Sequence, residues 1–261
     1  MKTLAISGKG GTGKTTIAAS IIRWLNENLS TSVLAVDADS NVNLNDILGI
    51  EIKETIGGIR EEMKALAETL PGGMTKQQFL EYKIQSSLVE TPHFDFIAMG
   101  RPEGPGCYCY ANNLLRDILS QISANYEYIV IDNEAGMEHL SRRTAQNIDF
   151  LLIISDPSVR GIQAAGKINK LVKELDTRVK ERYLILNRLR PPVPEEIKIK
   201  IEKEGLRLLA SLPEDEKLLK WDRAGKPIWP ILAESELYLA VEKFMEKLMK
   251  SEERLGAKSE L

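Results

Sequence analysis

Two short stretches concentrate the residues able to do chemistry. The first is "GKGGTGKTT" at 8–16, which fits the pattern G-x-x-x-x-G-K-[ST], opened by Gly8 and closed by Gly13-Lys14-Thr15. Gly8, Gly10, Gly11 and Gly13 let the backbone curl, so that consecutive N–H groups from here through Thr12 to Thr16 can face the oxygens of a phosphate chain. Lys14 is expected to reach the β- and γ-phosphates, and the Thr15 hydroxyl to ligate Mg²⁺. The second stretch is "GPGCYCY" at 104–110. It holds the only two cysteines, Cys107 and Cys109, in what reads as an exposed loop rich in glycine and proline. Thiolates spaced C-x-C can share one thiophilic ion, at roughly 2.3 Å for zinc, yet they fill only two of four tetrahedral positions. Neither histidine, His93 nor His139, stands at ligand spacing from them. A second copy of the chain across a two-fold axis would supply the other two sulfurs. The competing fates are a tight disulfide, a pair of small buried hydrophobes, or half of an iron–sulfur cubane shared between two chains.

Further polar residues stand at the ends of apolar runs. Asp37 and Asp39 close "SVLAVDAD", and Asp132 closes "YIVID". Ligands of open parallel sheets sit outside the carboxyl ends of the strands, so all three can face the phosphates. Asp132 reads as an acid holding Mg²⁺ through water. Asp39 reads either as a further acid at the phosphates or as a cap. Asp37 reads either as part of the Mg²⁺ shell or as a cap. Asn187, at the end of "YLILN", carries both a donor and an acceptor and suits the edge of a base. Pro213, in "LPEDEKL", is either a purine contact or simply a turn residue. Lys9 fills a free position of the phosphate pattern. It is either a surface lysine or a charge aimed at the nucleotide of a second subunit.

These residues need strand ends to hold them. Apolar runs at 2–7, 32–37, 94–99, 128–132, 150–155, 183–187 and 206–211 read as about seven strands. Helical patterns fall at 14–29, 111–123, 158–175, 194–204, 214–224 and 234–250. The segment 50–90 reads as mostly helical, with breaks at Gly57-Gly58 and Pro71-Gly72-Gly73. Short, continuously apolar strands between helices predict a mostly parallel sheet covered on both faces, an α/β phosphate-loop fold. One domain over 1–250 followed by a polar tail over 251–261 is expected.

Composition sets the outer limits. The 261 residues are 43% hydrophobic and 28% charged, with a net charge of −3. Bulk charge therefore argues against nucleic-acid binding. Residues 160–203 do carry twelve Lys/Arg against six Asp/Glu, which reads as solvated helix faces and is the one feature favouring DNA. No apolar run approaches a membrane span, the opening "MKTLAIS" is too short for a signal peptide, and a cytoplasmic protein is expected. Leu237, Val241, Phe244 and Leu248 fall at helical spacing, as a core stripe does.

"GKGGTGK" resembles the deviant Walker A motif of the ParA/MinD/nitrogenase-reductase superfamily. That resemblance implies that Lys9 acts across a dimer interface, that Asp39 is the first-switch aspartate that orients or deprotonates the attacking water, that Asn187 binds adenine, and that the chain passes over the purine at Pro213. "ETIGGIREEM" (54–63), "MGRPEGPGCYCYANNLLR" (99–116), "DNEAGMEHLSRRT" (132–144) and "SDPSVRGIQAA" (155–165) further resemble the CooC-type ATPases that mature nickel carbon monoxide dehydrogenase. This second resemblance implies a homodimeric MgATPase whose Cys-x-Cys pairs bind Ni²⁺, or Zn²⁺, between subunits. Its ATP binding and hydrolysis would assist nickel delivery to the dehydrogenase. Glu134, Ala135 and Gly136 would belong to a second switch that reads the γ-phosphate. A partitioning or division-site positioning ATPase and an iron–sulfur reductase of the same superfamily are the alternatives.

Overall fold

In the computed structural model the described residues are 1–65, 73–101, 108–135, 147–174 and 178–259. Among them eight strands form one sheet: β1 Lys2–Gly8, β2 Val33–Ala38, β3 Val89–Glu90, β4 Asp95–Ala98, β5 Tyr128–Asn133, β6 Asn147–Ser155, β7 Arg178–Leu186 and β8 Leu208–Ser211. Their order is β3-β4-β2-β5-β1-β6-β7-β8. Every neighbouring pair is parallel except β3 against β4. The parallel sheet expected from the apolar runs is therefore present, with one strand more than the seven expected. The extra strand is the two-residue β3, in a segment read as helical.

Nine α-helices lie among the described residues: α1 Lys14–Leu29, α2 Leu44–Leu48, α3 Ile56–Ala65, α4 Lys76–Ser87, α5 Tyr108–Ile122, α6 Val159–Glu174, α7 Glu195–Lys203, α8 Glu216–Arg223 and α9 Glu236–Ser259. Successive side chains of a strand point to opposite faces, and both faces are covered. Leu4, Ile6 and Val130 pack with Ile17, Ile21 and Leu25 of α1 and with Val241, Phe244 and Leu248 of α9. On the other face Val36, Ile97 and Ile131 meet Ile59 of α3 and Leu115 and Ile118 of α5. Beyond them Leu151 and Ile153 meet Ile162 and Ile168 of α6. Each such aliphatic burial contributes about 1.5–3 kcal/mol.

Two boundaries differ from the sequence reading. Gly57-Gly58 does not break a helix; both lie in the first turn of α3. The Gly57 N–H donates to the Met99 carbonyl at 2.8 Å and the Gly58 N–H to Thr55 Oγ1 at 3.2 Å. Those bonds satisfy helix-start donors, which offsets the weak helical preference of glycine. α9 continues as helix to Ser259, through most of the stretch read as a polar tail. No helix among the described residues is long and apolar enough to cross a membrane.

β1 stands at the centre, between β5 and β6. The sheet then extends through β2, β4 and β3 on one side and through β7 and β8 on the other. This is where a crevice opens at the carboxyl ends of parallel strands. The loop 8–16 begins there.

Candidate nucleotide site

The phosphate loop is shaped by contacts that only glycine permits. At Gly8, where β1 ends, φ is 153° and a Cβ would stand 2.2 Å from the Ile154 carbonyl oxygen. At Gly13, just before α1, φ is 88° and a Cβ would stand 2.4 Å from Asn187 Nδ2. Between them the Thr12 hydroxyl donates to the Lys9 carbonyl at 2.8 Å, closing the loop on itself. Lys9, Gly10 and Gly11 are exposed, whereas Lys14, Thr15 and Thr16 form the opening turn of α1. The first N–H groups of a helix carry partial positive charge and suit a phosphate. Lys14 Nζ lies 3.5 Å from the Lys9 carbonyl, and the side chain is buried. Burial pulls its pKa below the ordinary lysine range, against the raising effect of Asp132, Asp39 and Glu134. One buried cation therefore sits among three carboxylates.

The acids divide into different environments. Asp37 is fully buried. Its Oδ1 accepts the Asp39 N–H at 2.9 Å, and its Oδ2 accepts the Asn43 and Leu44 N–H groups, each at 2.8 Å. It thus holds the loop before α2 and the start of that helix, the capping alternative left open by the sequence. Burial pushes its carboxyl up to about 6, despite the three N–H donors. Asp39 is half-buried and accepts from the Asn41 N–H at 2.8 Å. Asp132 is 3% exposed, and its Oδ1 has no hydrogen-bond partner. The Thr15 side chain hydrogen-bonds the same carboxylate. Burial first, and Asp37 second, push Asp132 up to about 7, with Thr15 and Lys14 opposing. Ser40 Oγ donates to Glu134 Oε1 at 3.3 Å, joining the loop of Asp39 to the segment after β5.

A buried acceptor without a donor is costly. The Asp132 carboxylate and the Thr15 hydroxyl bonded to it are hard oxygens of the kind Mg²⁺ takes, with water completing the shell. The residues present therefore fit that ion.

On the other side of the loop lies a cleft of about 310 Å³, lined by Gly13, Thr15, Asn187, Arg188, Pro213 and Leu219 among others. It brings Asn187 and Pro213 together with the phosphate loop. The sequence reading missed Arg188 and Asp215. Arg188 has a φ of 60°, which nothing in "LNRL" announces. Asp215 accepts the Lys217 and Leu218 N–H groups at 3.0 and 3.1 Å, capping α8 along the cleft wall. Its type, at the start of the helical pattern read at 214–224, was the available signal. A larger hollow of about 540 Å³ between Met1, Thr3, Arg116 and Asn147 contains none of the candidate residues.

Cys107 and Gly136 lie outside the described residues. α5 begins at Tyr108 rather than near 111, so the backbone of Cys109 is in its first turn and not in a loop. No glycine or proline follows Gly106 to delay the helix. Among the described residues no group of three or more His, Cys, Asp or Glu side chains could hold a metal.

A sheet of this order with this loop at its centre defines a P-loop nucleotide-binding protein. Residues 3–228 match the CobQ/CobB/MinD/ParA nucleotide binding domain, and the chain belongs to that family. It is 44% identical over 248 residues to an "Uncharacterized ATP-binding protein" of Methanocaldococcus jannaschii, covering 94% of this chain and 98% of that one. It is 30% identical over 233 residues to the "Carbon monoxide dehydrogenase accessory protein CooC" of Rhodospirillum rubrum, covering 85% and 87%. Among solved structures, the septum site-determining protein MinD complexed with Mg-ADP, from Pyrococcus horikoshii, shares the fold with a TM-score of 0.67. The identity is 22%, and 95% of each chain is covered.

Proposed function

We propose that the chain is a dimeric MgATPase that binds Ni²⁺, or Zn²⁺, through Cys107 and Cys109 of each subunit and assists ATP-dependent nickel insertion into carbon monoxide dehydrogenase in the cytoplasm. The observation that carries this reading is the pair of cysteines at C-x-C spacing, in a chain 30% identical to a carbon monoxide dehydrogenase accessory protein. The phosphate loop and the open Asp132 oxygen support the ATPase part.

The roles follow from charge and placement. Lys14 and the N-terminus of α1 neutralise the β- and γ-phosphates. Thr15 and, through water, Asp132 would hold Mg²⁺, which withdraws charge from the phosphate oxygens. Asp37 keeps the first switch in shape, and Asp39 on that loop orients the attacking water. Lys9, exposed on the loop, reaches the nucleotide of the partner subunit, and Glu134 and Gly136 read the γ-phosphate. Asn187 and Pro213 border the seat of the base. Nickel is cargo here: two thiolates per chain make a complete tetrahedral set only when two chains meet.

The test is metal stoichiometry under reducing conditions with light scattering to count chains. Wild-type protein should take one Ni²⁺ or Zn²⁺ per two chains, and Cys107→Ser should lose tight binding while keeping basal ATP hydrolysis. One ion per single monomeric chain, or wild-type affinity in Cys107→Ser, overturns the proposal.

A further inference from the structure

We infer that the opening half of β7 takes an extended acidic segment of a partner protein as an added strand. β7 pairs with β6 from Arg178 to its end, but β8 pairs only with Leu184–Leu186. Main-chain groups of alternate residues turn to the same side of a strand. The Leu184 N–H donates to the Arg207 carbonyl, and the Leu186 carbonyl accepts the Leu212 N–H, each at 2.8 Å on the β8 side. The same alternation turns the N–H and C=O of Lys180 and Arg182 to that side, where no described residue bonds them.

The ladder stops because the chain entering β8 is held elsewhere. After α7, Gly205 takes a φ of 64°, and its N–H donates to the Glu202 carbonyl at 2.9 Å. The Leu206 N–H donates to the Ile201 carbonyl at 3.1 Å, completing a helix end that bends the chain from β7. Continuing the ladder would bring the Gly205 carbonyl to the Arg182 N–H. That carbonyl instead accepts Nδ2 of Asn169, a buried residue of α6, at 3.0 Å. A hollow of about 230 Å³ is left between Lys173, Lys180, Arg182, Gly205 and Arg207.

Charge selects the occupant. Arg178, Lys180 and Arg182 form one row, since alternate residues of a strand share a face. Asp149, Glu181 and Glu204 are already taken by Lys180, Arg207 and Lys170. Lys173, Arg178 and Arg182 have no ion pair among the described residues. An open edge is a template for another strand. A second copy laid along it would set this row against itself, and like charges opposite one another destabilise a pair. A strand with carboxylates at alternate positions meets the row favourably and also bonds the Lys180 and Arg182 peptide groups. Duplex nucleic acid would use the charges and leave those peptide groups bare. This part of the excess of cations over 160–203 therefore has a use on the surface.

The start of β7 lies at the amino ends of the parallel strands, away from the phosphate loop, so the test does not depend on the nucleotide site. The probe is a synthetic peptide alternating glutamate and valine, added to the full chain. Binding is read by fluorescence anisotropy and amide hydrogen exchange by NMR. The expected result is saturable binding that weakens with salt and slows exchange at the Lys180 and Arg182 amides by roughly tenfold or more. The same peptide N-methylated throughout should bind at least roughly tenfold more weakly, because it cannot donate to the edge. Arg182→Glu should weaken binding of the unmethylated peptide by roughly fivefold or more and leave ATP turnover unchanged. The methylated peptide and the exchange data keep the test open if that variant fails to fold. No binding of the unmethylated peptide overturns the inference, as does binding that leaves exchange at Lys180 and Arg182 unchanged. Equal affinity for the methylated peptide, or for Arg182→Glu, does the same. Duplex DNA that binds this face where the peptide does not would also overturn it and give the cations to nucleic acid.

Discussion

Asp132→Asn should stabilise the nucleotide-free protein while abolishing its response to Mg²⁺ and ATP. In the unfolded chain this carboxyl titrates near 3.8; in the folded chain without ligand it is pushed up to about 7. Between those values the folded state holds a proton that the unfolded state has released. Stability therefore falls as pH rises through this window, by at most about 1.4 kcal/mol per pH unit, and levels off above about pH 7. The ceiling is roughly 4 kcal/mol, and local relaxation will reduce it. Asparagine has the same shape and does not titrate. Urea unfolding in EDTA should thus show the variant and wild type nearly equal at about pH 4. By about pH 8 the variant should be ahead by on the order of 2 kcal/mol or more. Asp37 is present in both proteins, so the difference reports Asp132 together with its repulsion of Asp37. Adding Mg²⁺ and ATP should raise the stability of wild type only. Parallel pH profiles for the two proteins, or a variant less stable than wild type at pH 8, would refute the view that burial strains this carboxylate.

Lys14→Ala removes the one buried cation at the phosphates, and steady-state ATP turnover should fall by roughly a hundredfold or more; turnover near wild type would remove the phosphate-loop assignment. Asp39→Asn should bind ATP normally yet hydrolyse it roughly a hundredfold more slowly, because the attacking water loses its orienting carboxylate. Lost ATP binding, read by equilibrium dialysis, would instead give Asp39 a scaffolding role. Lys9→Ala should stay folded while its ATP-dependent dimer weakens by roughly tenfold or more, measured by sedimentation. A dimer as tight as wild type would place Lys9 within its own chain or in solvent.

The sheet was legible because its central strands are buried on both faces and read as unbroken apolar runs. β7 shows the limit of that signal. It begins at Arg178, but only Leu184–Leu186 pair with β8, so its first half is a sheet edge with exposed Arg178 and Lys180. Charged residues belong on such an edge, and they hid five residues of strand. β3 is two residues paired with Phe96 and Asp95 in a hairpin across residues 91–94, too short to show an alternating pattern of its own. In the site, the glycines and Lys14 could be read from spacing because the chemistry of the loop is local. The division of labour between Asp37 and Asp132 could not. Both end an apolar strand, and they are register partners on β2 and β5. What separates them is the set of N–H groups each meets, which depends on where the loop before α2 folds back.

That division has an electrostatic reason. Asp37, Asp39, Asp132 and Glu134 surround the loop, and Lys14 is the buried cation among them. A phosphate chain brought to such a place adds negative charge, so binding it without compensation is unfavourable in a low-dielectric setting. The three N–H groups on Asp37 spread its charge into the backbone and fix the loop before α2. Asp132 keeps a bare oxygen instead, and a divalent cation satisfies it while offsetting the phosphate. The remaining deficit falls on the exposed side of the loop, where Lys9 stands. Asp37 also connects this balance to the rest of the sheet. Its carbonyl accepts the Met99 N–H at 2.8 Å, and the Met99 carbonyl accepts the Gly57 N–H at 2.8 Å. Met99 follows β4, and the chain runs on from it to Cys107 and Cys109. Asp37, the residue after β4 and the start of α3 are thus joined by one chain of backbone hydrogen bonds.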